Sequence, residues 1–157
     1  MNSATAIDIV RDSLRTNLTD AYVTAGGTAR GGAYWIFSDE PWTGAKYPQI
    51  QLRKLDNPSE PISIGPEYWE NEQLFINIWF YTKNGFKITV SDVEYMNAKL
   101  VEYYQGLIKT TLKGKFNTLF TAGVKNYKHN NTTEVGYDPD TQIYFGGVVV
   151  RVQYFNQ

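Results

Sequence analysis

The chain has 157 residues, 42% hydrophobic and 20% charged, a balance that fits one globular domain. It contains no Cys and a single His, which excludes a disulfide scaffold, a thiol nucleophile, thiolate zinc sites and His-rich metal centres. Net charge is only −1, while the aromatic content is high, with 12 Tyr, 8 Phe and 4 Trp.

Ser3 is the expected N-cap of a first helix, in which Ile7, Val10, Leu14, Leu18 and Ala21 recur at helical spacing. This helix runs into Gly26-Gly27-Thr28-Ala29-Arg30-Gly31-Gly32. The spacing matches neither Gly-x-Gly-x-x-Gly nor a P-loop, and a helix precedes it where a phosphate cradle needs a strand. The expectation is a mobile loop that orders on assembly, with Gly27, Arg30 and Gly31 as its candidate residues and Arg30 as its one charged contact. Ala33 to Phe37 reads as a short strand. Tyr47 to Leu55 reads as another, with Ile50 and Leu52 on one face and Gln49, Gln51 and Arg53 on the other. Asp56 to Pro61 reads as a turn, and Ile62 to Ile64 as a brief strand closed by Gly65-Pro66.

Tyr68 to Lys83 is the strongest strand. Leu74, Ile76, Ile78 and Phe80 form one face, which Glu70 and Glu72 extend toward a solvent end. Phe75, Asn77, Trp79 and Tyr81 form the other. Tyr and Trp at that density are enriched at protein interfaces, although a second layer of the same chain is the alternative cover. Ser91-Asp92-Val93-Glu94 has the spacing of a capping box and predicts a long helix through about Lys113. Its core stripe is Val93, Met96, Leu100, Tyr104, Leu107, Ile108 and Thr111, and Gly114 is its expected left-handed C-terminal residue. Lys115 to Ala122 reads as a short helix or turn, with Phe120 assigned to the core. Val124 to Tyr137 and Gln142 to Tyr154 form a closing hairpin, with a break at Gly146-Gly147. Turns join most of the strands, so the fold class expected is α+β. It has an antiparallel sheet with helices packed on one face, in a single domain over residues 1–157.

Catalytic constellations are scarce. Asp39/Glu40 fall in a turn, and Glu67, Glu70 and Glu72 lie along one strand, which does not define a cleft with two carboxylates at a set separation. His129 sits in a polar Lys-His-Asn-Asn loop. No Gly-x-Ser-x-Gly elbow, EF-hand or His-Glu-x-x-His spacing occurs. The reading is a non-enzyme with no cofactor, no metal and no membrane partner. No signal-peptide core opens the chain, and no apolar run approaches the ~20 residues that span a bilayer.

Charge is distributed unevenly. Residues 1 to 94 hold 8 Lys/Arg against 12 Asp/Glu, and residues 95 to 157 hold 7 against 4. Asp56, Glu60, Glu67, Glu70 and Glu72 form an acidic segment without a base. Lys99, Lys109, Lys113, Lys115, Lys125 and Lys128 form a basic one opposed only by Glu102. These could be two solvated surfaces, the two halves of a head-to-tail subunit contact, or a basic face for nonspecific contact with DNA through Lys109, Lys125 and Lys128.

The order of elements resembles the tail terminator (tail completion) proteins of tailed phages and viruses. The features that carry the resemblance are the helix Ile7 to Leu18, the aromatic-Pro-x-Ile strand Tyr47-Pro48-Gln49-Ile50, the long strand Glu72 to Tyr81 ending near Asn84-Gly85, the helix Asp92 to Leu112 and the closing hairpin Gly123 to Tyr154. The resemblance implies a structural virion protein, assembled in the host cytoplasm. Such a protein forms a homo-oligomeric ring, usually a hexamer, that caps the tail tube protein and joins the tail to the head connector. The Gly26–Gly32 insert is longer than the minimal family has, which leaves a neighbouring neck or head-completion protein open. Within that reading Phe75, Trp79, Tyr81, Glu67, Glu70, Lys113 and Lys115 are the candidate inter-subunit or inter-ring residues. The alternative function is a small-molecule or carbohydrate binding module that uses the aromatic sheet face.

Overall fold

The computed structural model describes residues 1–64 and 67–156, and side chains except at positions 63, 64, 67 and 68. The expected Gly65-Pro66 turn therefore lies outside the described residues. Helix α1 spans Ser3–Asn17 and buries Ala6, Val10, Ser13 and Leu14. Its N-cap is Asn2 and not Ser3: the Asn2 carboxamide oxygen accepts from the Thr5 backbone N–H, filling one orphan donor of the first turn. Asp20 then caps a four-residue helix, α2 (Ala21–Thr24), which carries the buried Ala21. A 3-10 turn at Gly32–Tyr34 leads into strand β1 (Ile36–Phe37), shorter than the strand expected from Ala33.

Strands β2 (Gln49–Asp56), β3 (Ser59–Ile64), β4 (Glu67–Lys83), β7 (Asn126–Thr132), β8 (Gly136–Asp138) and β9 (Ile143–Asn156) complete the main sheet with β1. Its order is β1-β2-β4-β9-β7, with β3 on β4 and β8 on β9. Every pairing is antiparallel except β1 with β2. The β4–β9 ladder is continuous from Glu70↔Asn156 to Lys83↔Ile143. Only Asn57-Pro58 turns between β2 and β3, so most of the turn expected from Asp56 to Pro61 is strand.

Both lateral edges at the β3 end of the sheet are blunted. Pro61 removes a backbone donor from β3, and β7 has a register shift between His129 and Asn131. These are the devices by which natural sheets discourage strand addition.

The expected capping box is a hairpin. β5 (Lys87–Val90) pairs with β6 (Val93–Met96), and Ser91 and Asp92 between them have φ of 48° and 64°. Two central residues with positive φ are what a tight two-residue hairpin turn requires, and the right-handed twist of the strands favours it. Val93 and Met96, assigned to a helical core stripe, are instead 40% and 39% exposed. Helix α3 begins later, at Ala98, and ends at Gly114. Gly114 is inside the helix and not left-handed. The left-handed glycine is Gly123 (φ 115°), after the short helix α4 (Phe116–Thr121). There the Val124 N–H bonds Leu119 O and the Gly123 N–H bonds Phe120 O, closing the helix end.

All four helices contribute to one core cluster with the inward face of the sheet: Ile50, Leu52, Leu74, Ile76, Ile78, Phe80, Val148, Val150 and Val152. At its centre the Phe80 and Tyr104 rings stack with centroids 4.4 Å apart, and Trp35 meets Tyr104 edge-on at 6.4 Å. The Tyr104 hydroxyl donates to Thr19 O at 3.0 Å, so the phenol is buried without an orphaned polar atom. This cluster absorbs part of the aromatic excess. Phe120, assigned to the core from its spacing, is 51% exposed.

Gly146 and Gly147 make no bulge and no break. Gly146 lets α3 approach: a Cβ there would stand 2.6 Å from Gln105 Nε2 and 2.7 Å from Val101 Cγ1. Gly147 faces the other way, where a Cβ would stand 2.6 Å from Asn77 Oδ1 and 3.1 Å from Trp79.

Candidate interaction surface

With the helices on the aliphatic face, the other face of the sheet has no helix of this chain packed on it among the described residues. The ladders place its residues in rows: Phe75 beside Arg151 and Lys128, Asn77 beside Arg53 and Val149, Trp79 beside Gln51 and Gly147, Tyr81 beside Gln49 and Phe145. Phe75, Trp79 and Tyr81 are thus brought together as the alternation predicts, each half-buried against its neighbours and not under a second layer.

Trp79, Tyr81 and Phe145 form a triangle with centroid separations of 6.0 Å (Trp79–Phe145), 6.4 Å (Trp79–Tyr81) and 6.4 Å (Tyr81–Phe145). The three rings line a cavity of about 360 Å³ with Tyr47, Asp138, Thr141 and Ile143. Burial pushes the Tyr81 hydroxyl up, against the pull of Arg53, so it is a neutral phenol at neutral pH. Asp138 accepts from the Asp140 N–H at 3.0 Å and from Thr141 Oγ1 at 2.9 Å. Phe145 was not singled out in the sequence because a break at Gly146-Gly147 shifts the alternation. With the ladder continuous, Ile143, Phe145, Gly147, Val149 and Arg151 fall on one face.

The glycine-rich segment is tied down. The Arg30 guanidinium pairs with both carboxylate oxygens of Asp20, Nε to Oδ2 at 2.9 Å and Nη2 to Oδ1 at 2.7 Å, and lies 3.9 Å over the Tyr22 ring. The Arg30 N–H also reaches Asp20 Oδ2, and Nη1 donates to Lys46 O at 2.9 Å. Burial alone would raise the Asp20 carboxyl. The hydrogen bonds from Arg30 and Tyr22 outweigh it and hold the group below its ordinary range. Arg30 therefore serves inside the chain, correcting the expectation of an outward assembly contact. Gly27 N–H bonds Tyr22 O at 2.7 Å, and Gly31 is left-handed (φ 78°), with its carbonyl held by Tyr34 N–H. Beside this segment Tyr34 and Trp42 stack on each other in the open, 5.9 Å apart, along a groove of about 530 Å³.

Glu72 does not extend a solvent end. It is 8% exposed, and its carboxylate accepts from the Tyr154 hydroxyl, from Asn156 Nδ2 at 3.0 Å and from Asn57 Nδ2 at 3.1 Å. It is a buried clasp joining β4, β9 and the β2–β3 turn. The exposed acids of this end are Asp56 and Glu60, while Glu70 is half-buried and the side chain of Glu67 lies outside the described residues. Leu55, 60% exposed, and Phe155 add apolar surface beside them.

Lys113 and Lys115 are exposed at the α3–α4 junction, and Lys125 Nζ stands 5.2 Å over the exposed Phe120 ring. The three candidate DNA-facing lysines do not share one face. Lys109 is on α3, close enough to depress the pKa of His129 together with its burial, whereas Lys128 lies on the aromatic sheet face. His129 Nε2 is 3.0 Å from Thr132 Oγ1, on the inward side of β7.

Among the described residues no group of three or more His, Asp or Glu could hold a metal, and no helix is long and apolar enough to cross a membrane. No protein-family model matches the chain, and no curated protein matches it.

Proposed function

We propose that this chain is a structural ring component of a virion neck, of the tail terminator kind, which self-associates head to tail and presents its open sheet face to a neighbouring ring. The observation that carries the reading is a bias of exposed charge at one end of the sheet, acidic toward one side and basic toward the other. Asp56 and Glu60, with Leu55, lie on the β2–β3 side, where Lys54 is also exposed, and Phe155 stands on β9 between the two patches. Lys113, Lys115 and Lys125, with Phe120, lie on the α3–α4 and β7 side. Two different complementary patches on opposite sides of one end suit a heterologous contact, and such a contact forms a ring when its rotation closes. In that ring the partners would be further copies of the chain, a tail tube protein and a head connector. The separation of Lys109, Lys125 and Lys128 gives DNA no continuous track, so any contact with DNA in transit would be nonspecific.

Light scattering across a concentration series tests the self-association. Glu60→Lys or Lys115→Glu alone should lower the mass observed, and the two together should restore it, because the swapped charges meet again across the contact. A chain that stays monomeric at high concentration and on tail tubes, or a double variant no better than the singles, would overturn the reading. Association with purified tail tubes is the arm that tests the neck role itself.

A further inference from the structure

The geometry points to the Trp79–Tyr81–Phe145 cavity as a binding site for an alkylammonium ion, a reading independent of the ring assignment. Three rings stand 6.0 to 6.4 Å apart, tilted by 36°, 64° and 37° to one another, and all three line the same cavity. A cation seated in that cavity has three aromatic rings within reach, and ring quadrupoles attract positive charge over their faces within about 6 Å. Tyr47 adds a fourth aromatic wall, and among the lining residues Asp138 carries the only formal charge, a negative one. Its carboxylate accepts one hydrogen bond from Asp140 and one from Thr141, which leaves lone pairs for a cation.

Two cations of the chain itself lie nearby and compete with such a ligand: Lys83 Nζ, 5.7 Å over the Tyr47 ring, and Arg53, whose charge acts on Tyr81. The volume of about 360 Å³ admits a trimethylammonium or methylated-lysine head. Aromatic walls with one carboxylate suit a large, weakly hydrated cation better than a small metal ion, which would need several oxygen ligands. The arrangement is supported from below. Gly136 lies under the Phe145 ring, where a Cβ would come within 2.5 Å of Phe145 Cζ, and Gly147 leaves room for the Trp79 ring.

The test is calorimetric titration of the full chain with tetramethylammonium chloride at constant ionic strength, against the neutral isostere 3,3-dimethylbutanol. The cation should bind saturably and about tenfold more tightly than the isostere. Asp138→Asn should weaken it by about fivefold, and Lys83→Met should tighten it by about twofold, because the competing charge is gone. Trp79→Leu should abolish binding, and Tyr81→Leu serves if that variant does not fold. Choline and a peptide bearing trimethyl-lysine distinguish a free ammonium metabolite from a modified protein side chain. Equal binding of the isostere, or no saturable binding of tetramethylammonium up to tens of millimolar, would overturn the proposal.

Discussion

The Glu72 carboxylate shows how three hydrogen bonds can reverse the effect of burial. Desolvation alone would raise its pKa; donation from Tyr154, Asn156 and Asn57 lowers it below the ordinary range. The unfolded chain titrates this group near pH 4.3. With the folded value lower still, the group adds stability above that pH and loses it as the pH falls through the folded value. Glu72→Gln should therefore cost about 1–3 kcal/mol at pH 7. It should also show a shallower loss of stability on acidification, read by urea unfolding at pH 7 and pH 3.5. An equal penalty at both values would mean that the clasp is not ionised. The alternation of the strand made Glu72 legible as a residue on the aliphatic face. Its burial was not legible, because it depends on Tyr154 and Asn156, some 80 residues away in the chain. At Gly146 and Gly147 the same alanine substitution separates the two faces. Gly146→Ala meets α3 and should cost about 1–3 kcal/mol. Gly147→Ala should perturb the Trp79 ring and its fluorescence, a readout that Gly146→Ala leaves nearly unchanged.

Among the elements, the β5–β6 hairpin is where local pattern misleads. Ser-x-x-Glu is a helix-start signature, yet Lys87-Ile-Thr-Val and Val-Glu-Tyr-Met each have enough strand propensity to pair across a two-residue turn. Deciding between them needs the backbone conformation of Ser91 and Asp92, which a spacing rule does not contain. Asp92→Gly supplies the residue that a positive φ favours and should raise stability by about 0.5–1 kcal/mol, or a few degrees in Tm. In a helix-initiating context the same change would lower it. The long β4 strand and the stripe Leu100, Tyr104 and Ile108 were legible throughout, because each keeps one periodicity for many residues.

Among the described residues the sheet has one aliphatic face shared by every helix and one aromatic-basic face shared by none. The two-sided pattern of β4 forecast that division, while the order of helices and turn-joined strands forecast the α+β class. The aromatic excess is split accordingly: Trp35, Phe80 and Tyr104 hold the core, while Trp79, Tyr81 and Phe145 gather at the open face. Arg30 was out of reach of sequence reasoning, since its partner Asp20 lies across the glycine segment. Arg30→Ala should leave Asp20 buried without its partner and cost about 3–5 kcal/mol, measurable by thermal unfolding. An assembly contact at that position would instead leave monomer stability unchanged and alter only the mass.

The blunted edges have a further consequence for how such a chain can associate. With Pro61 on one side and the register shift of β7 on the other, copies do not readily fuse into a continuous hydrogen-bonded sheet. In the ring proposed above, contacts at this end would then depend on side chains, and those between Asp56 or Glu60 and the lysines would be screened by salt: the Debye length shrinks from about 8 Å at physiological ionic strength to about 3 Å at 1 M. Subunits meeting in that way would sample a wrong partner and leave again, and closure would be decided by how many contacts form together rather than by the first one.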